Sequence, residues 1–120
     1  MTGGRTVTVH TLDAGAITIP EPAWCLGHPD GPAEYRTDVH HTGPEHRVDY
    51  AGRATLAAEP VAFPYGAHPV PPSVHVEILI PAATMDPPGL EALAAVLDEQ
   101  AAEVRRLALR LAVLRAGGDW

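Results

Sequence analysis

The chain has 120 residues, enough for one domain, with 46% hydrophobic and only 5% aromatic residues, so a core must be built mainly from Val, Leu, Ile and Ala. A formal charge of −7, with eight Arg against 15 Asp plus Glu, excludes the basic footprint of a general nucleic-acid binder and opposes docking on an anionic membrane. A single cysteine rules out an intramolecular disulfide, no apolar run follows a basic start at the N-terminus, and no stretch approaches the ~20 apolar residues of a membrane span, so a cytoplasmic protein is expected. Lys and Asn, both with AT-rich codons, are absent, which points to a GC-rich genome.

Residues 6–11 (TVTVHT) alternate apolar and polar, the pattern of a half-buried strand. Asp13-Ala14-Gly15 is a turn signal, and residues 16–20 (AITIP) alternate again, which predicts an N-terminal hairpin within residues 1–20. From 21 to 46 no apolar period survives. Pro, Gly, His and Asp dominate, so this segment is either disordered or held by something other than an apolar core.

Short strands are expected at 47–50 and 53–57, followed by a proline-rich extended connection (Pro60, Pro64, Pro69, Pro71, Pro72) with an edge strand at 61–63. Residues 73–80 (SVHVEILI) place Val74, Val76, Ile78 and Ile80 on one face. That pattern predicts the middle strand of the sheet, with its aliphatic face on a helix. The strand region thus runs from 47 to 82.

The helix is predicted across residues 86–117. Asp86 caps it, Pro87 and Pro88 open its first turn, and Gly117-Gly118 stops it. Leu90, Leu93, Leu97, Gln100, Val104, Leu107, Leu111 and Leu114 form a heptad seam broken by one polar residue. Such a helix is ~40 Å long at 1.5 Å per residue. A small sheet cannot cover all of it, and residues 107–114 (LALRLAVL) are apolar almost all round. A homodimer through this C-terminal helix is the expected cover. One long helix lying on the sheet, or broken in two, is the alternative. The fold class is therefore α+β: a small, mostly antiparallel sheet, a metal-bound loop and one long C-terminal helix, all in a single domain.

The residues that carry chemistry lie in the irregular segment. Cys25, His28, His41 and His46 follow the spacing Cys-x2-His-x12-His-x4-His. Two close ligands, a loop and two more is the arrangement of small tetrahedral zinc sites. Gly27 and Pro29 favour the tight turn that lets Cys25 and His28 chelate one ion. His40 competes with His41 for the third position. Trp24 reads as a hydrophobic lid, and Asp30 or Asp38 as an acceptor for the outer N–H of a ligating His. The bland alternative is a buried thiol surrounded by surface histidines. His10, His68 and His75 read as solvated. The intervening loop lacks a helix pattern and a basic surface, so this is no DNA-reading finger.

At Pro-Ala-Trp-Cys, His28 and His-Thr-Gly-Pro-Glu-His, the chain resembles an actinobacterial family catalogued as a domain of unknown function. The resemblance spans about residues 6–114. It implies a Trp-Cys…His…His-x-Gly signature followed by strands and a C-terminal helix, with no activity to carry over.

The expected function is that of a small, non-enzymatic zinc-binding protein acting as a protein-interaction or assembly module. A closed four-ligand site has no place for a reactive water. Two alternatives stand beside it. A zinc-dependent hydrolase would use an open metal position, with Glu45 or Asp30 as base. A zinc- or redox-responsive regulator would act through Cys25.

Overall fold

The computed structural model describes residues 4–29, 31–67 and 71–120. Asp30 and His68 lie outside these.

Two antiparallel assemblies precede one long helix. Strands β1 (Arg5–Thr11) and β2 (Gly15–Glu21) form a regular hairpin, with Arg5 opposite Glu21 and Thr11 opposite Gly15. Gly15 takes φ 67°, a conformation glycine adopts at no steric cost. Thr11 adds a side-chain lock: its Oγ1 donates to the Gly15 carbonyl at 2.7 Å and accepts from Ala14 N at 3.0 Å.

The second sheet comprises β3 (His41–Thr42), β4 (His46–Tyr50), β5 (Arg53–Ala62) and β6 (Ser73–Ile78). β3 and β4 pair with successive parts of one side of β5, and β6 pairs with the other side. β5 is therefore the central strand and β6 an edge, contrary to the reading of 73–80 as the middle strand. The burial follows that order: Leu56 and Ala58 of β5 are fully buried in the core, whereas the aliphatic face of β6 is only partly covered, with Val76 42% and Ile78 70% exposed.

β5 also runs through Pro60, which the sequence placed in an irregular connection. The Pro60 carbonyl accepts from Gly43 N at 2.9 Å, so its missing N–H falls on the same side of the strand, at the break between β3 and β4. No ladder bond is lost there.

β4 and β5 are joined at Ala51-Gly52, both with positive φ (52° and 76°), as a two-residue hairpin turn requires. The register shifts between Val48 and Asp49, leaving Thr55 as the extra residue of a bulge.

Helix α1 (Pro87–Arg115) begins and ends as its sequence specifies. Asp86 Oδ1 accepts from Gly89 N at 2.9 Å. At the other end Gly118 N bonds to the Val113 carbonyl and Gly117 N to that of Leu114, with Gly117 at φ 94°, a Schellman closure. α1 packs on the sheet through Leu107, which joins Val48, Leu56 and Ala58 in a small core flanked by Val74 and Trp120. Gln100, the polar break in the seam, is buried and donates to the Thr55 carbonyl at 3.0 Å. The bulge supplies the acceptor that makes a glutamine fit there.

The fold is elongated, 57 × 32 × 25 Å with a radius of gyration of 18.0 Å, where a compact chain of this length would give about 14 Å. The hairpin lies outside the helix-covered core. Polar links join it to the rest: Leu12 N to the Glu34 carbonyl at 2.8 Å, Arg36 N to Asp13 Oδ1 at 2.8 Å, and Arg5 Nη2 to the Cys25 carbonyl at 2.9 Å. A two-stranded hairpin has little stability alone, so the junction that fixes it decides whether the N-terminal part is ordered.

Candidate metal centre

Four side chains converge at that junction. Glu21 ends β2, Cys25 and His28 follow in the loop, and His41 opens β3. Their ligand atoms, one each from Glu21, Cys25, His28 and His41, all lie within 4.8 Å of one another. Glu21, Cys25 and His41 are buried, and His28 is half-buried.

Local geometry explains the convergence. Cys25 N bonds to the Pro22 carbonyl at 3.0 Å, closing a turn after β2. Gly27 sits at φ 109°, in a region that favours glycine, and its N–H donates to Cys25 Sγ at 3.4 Å. Leu26 N bonds to the Thr42 carbonyl at 3.0 Å, which lays this turn against β3 and beside His41. Gly43 is indispensable to that approach. A methyl there would overlap the Pro60 ring and press on the Trp24 carbonyl and indole. Trp24, the expected lid, stands edge-on to His41, with ring centroids 6.2 Å apart and planes at 81°.

Cys25 Sγ lies 3.8 Å from His28 Nε2, and Glu21 Oε1 lies 3.1 Å from His28 Nε2 and 2.7 Å from His41 Nδ1. Ligand atoms around one tetrahedral zinc ion, at bond lengths of ~2.0–2.3 Å, are separated by about 3.3–3.8 Å, so the two closest approaches, 2.7 and 3.1 Å, would open by a few tenths of an ångström around an ion. His41 Nδ1 is buried and makes no hydrogen bond of regular geometry, although the Glu21 carboxylate oxygen is 2.7 Å away. A cation among them would satisfy a buried nitrogen left beside a thiol, an imidazole and a carboxylate.

The protonation states follow from the same packing. Burial lowers the pKa of His41, against the opposing pull of Glu21. Burial would raise Glu21, but hydrogen bonding with Cys25 and His28 and the potential of the two imidazoles outweigh it and hold the carboxyl below its usual value. Burial, then the hydrogen bond with Glu21, raise the Cys25 thiol. A neutral imidazole and an ionised carboxylate are ready donors. The thiol must shed its proton to bind.

The structure thus brings together Cys25, His28 and His41 of the predicted ligands and leaves out His46. Gly43-Pro44-Glu45 carry the chain past the site, and His46 starts β4 toward the helix. There Trp120 Nε1 donates to its Nε2 at 3.2 Å, and its Nδ1 is 3.7 Å from Glu103. Glu21 is the fourth member of the cluster. Spacing among Cys and His could not reveal it; the available signal was a carboxylate four residues before the cysteine, at the end of a strand. Between the rival histidines, burial separates the two. His41 is buried, whereas His40 is exposed, held by the Asp38 carbonyl at 3.0 Å and lying beside Phe63. Asp38 and Glu45 are exposed. His10 and His75 are exposed on their strands.

The sequence matches the family DUF6907, described as a domain of unknown function, across residues 6–113. The chain belongs to this family. No match was found among curated proteins or solved structures. Among the described residues no helix is long and apolar enough to cross a membrane.

Proposed function

We propose that this DUF6907 protein is a non-enzymatic zinc-binding module, in which Glu21, Cys25, His28 and His41 hold a structural ion that ties the N-terminal hairpin to the second sheet and fixes residues 21–46 as a surface for a protein partner. The observation that carries this reading is His41 Nδ1, buried without a hydrogen bond among three other donors. Zinc suits the set better than calcium or magnesium, which take oxygen ligands, and a thiolate with two imidazoles is a donor combination zinc favours. Four protein donors fill a tetrahedron and leave no open position for a reactive water, so the site acts as a clip.

Placement supports a structural role. The ligands come from β2, from the loop and from β3, so one ion links both antiparallel assemblies. The hairpin otherwise depends on a handful of polar contacts. Structural zinc supplies folding free energy on the order of 10 kcal/mol in zinc-finger peptides.

The test is the metal content of protein purified without a His tag, with thermal denaturation in the presence and absence of a chelator. One equivalent of zinc, lost in Cys25→Ala and His41→Ala together with much of the thermal stability, supports the clip. Metal-free wild-type protein that is fully folded and indifferent to added zinc would overturn it.

A further inference from the structure

β6 (Ser73–Ile78) has a partner, β5, on one side only, and its outer edge is unpaired among the described residues. Natural edge strands are usually guarded by Lys, Pro, a bulge or an overlying segment. β6 contains no Lys, Arg, Pro or Gly, and its pairing with β5 runs without a register shift.

The surface beside this edge is apolar. Val74, Val76 and Ile78 pair with Pro60, Ala58 and Leu56, so they share the face that carries α1. The helix does not cover them fully, because it leans toward β4. Glu99, Glu103 and Arg106 lie over Arg47 and Asp49 on that flank, and Glu103 reaches His46. The opposite flank of α1 therefore turns to the β6 side. It bears Leu90, Leu97 and Val104 at seven-residue intervals, 56%, 48% and 43% exposed. The chain exposes 7916 Å² in all, whereas a folded monomer of 12.7 kDa exposes about 6200 Å². The excess is spread over the elongated chain, the hairpin included, and this open face contributes to it.

The polar pair on β6 chooses the occupant. His75 and Glu77, 3.2 Å apart on the polar face, flank Val76 symmetrically in sequence. In an antiparallel pair of two β6 strands centred on Val76, each His75 stands opposite the other copy's Glu77, Val74 stands opposite Ile78, and Val76 meets itself. The strand is self-complementary in both hydrogen bonding and hydrophobicity.

We propose that a second copy of this chain docks here, with β6 pairing antiparallel to its counterpart about a two-fold axis at Val76. The sheet becomes continuous across the dimer. The Leu90, Leu97 and Val104 rows of the two helices close over the aliphatic faces of both β6 strands. This arrangement involves neither the metal ligands nor the loop that carries them.

Sedimentation equilibrium across a concentration series tests it, using the full chain and charge variants at two exposed positions that leave the monomer's packing intact. Wild-type protein is expected to reach twice the mass of the 12.7 kDa chain. His75→Glu places like charges opposite each other twice and is expected to weaken the dimer by about tenfold or more, as is Glu77→Arg. The double variant His75→Glu/Glu77→Arg places opposite charges across from each other and is expected to recover the dimer. Circular dichroism confirms that each variant is folded. A monomer at all concentrations overturns the proposal, and so does a dimer that both single variants leave unchanged, which would place the interface elsewhere. A double variant no tighter than the singles overturns the Val76-centred register.

Discussion

Glu21 and His41 meet across the junction of two antiparallel assemblies, with the carboxylate oxygen 2.7 Å from Nδ1 and no hydrogen bond of regular geometry between them. One belongs to the last residue of the N-terminal hairpin, the other to the first residue of β3. This pair, with Cys25 and His28, joins parts of the chain that share little apolar contact, and the consequences can be measured.

The metal-free protein should be most stable from about neutral pH to mildly alkaline pH. His41 has a folded pKa below its ordinary 6.5, so the unfolded state binds more protons in that interval and stability falls as pH drops through it. Glu21 is also depressed; its contribution is full above 4.5 and is lost as pH falls through the folded value. Cys25 has the opposite sense. Its raised pKa gives a contribution present below 9.0 and lost as pH rises through the folded value. Melting temperature against pH in chelator should trace this dome. A flat profile from neutral pH to pH 5 would contradict the burial of His41 as a neutral ring.

Gly43→Ala should destabilise the protein by about 1–3 kcal/mol, the range for overpacking a tight contact. The added methyl drives Trp24 and Pro60 apart, and Trp24 stands against His41. Chemical denaturation should therefore show reduced stability, and zinc titration should show weaker binding. Unchanged values in both would mean that the Trp24 packing does not support the site.

Gln100→Leu and Leu107→Ala should differ. Gln100 loses one hydrogen bond to the Thr55 carbonyl, which still accepts from Leu79 N at 2.9 Å, so a cost of about 1 kcal/mol is expected. Leu107 is the helix's main contribution to the core, and its truncation should cost about 2–5 kcal/mol. Urea denaturation ranks the two. A Gln100→Leu cost as large as that of Leu107→Ala would show that the bulge depends on the glutamine.

Much of this was legible in the sequence because it is local. Alternation at Val7, Val9, Ile17 and Ile19 specified the hairpin, and Asp86, Pro87 and Gly117 specified the helix ends. Cys25, His28 and His41 announced themselves by residue type and spacing. What escaped depends on tertiary placement. An aliphatic face such as Val74, Val76 and Ile78 reads alike in a middle or an edge strand. The alanines and Pro60 of β5 look weak as a central strand, although that strand is paired on both sides. Gln100 read as a flaw in an apolar seam until the bulge at Thr55 supplied its partner. His46 sits at a plausible ligand spacing, but spacing does not show that the chain passes the site at Gly43. Glu21 was hidden because acidic residues are common and carry no spacing rule of their own.

The most direct measurement is a zinc titration by competition with a chromophoric chelator, comparing Glu21→Ala with His46→Ala. A site made by Glu21, Cys25, His28 and His41 predicts that His46→Ala binds zinc as wild type does, while Glu21→Ala loses at least the 10–100-fold typical of removing even a supporting residue around a metal. The reverse pattern, with His46→Ala failing to bind and Glu21→Ala unaffected, would contradict that ligand set.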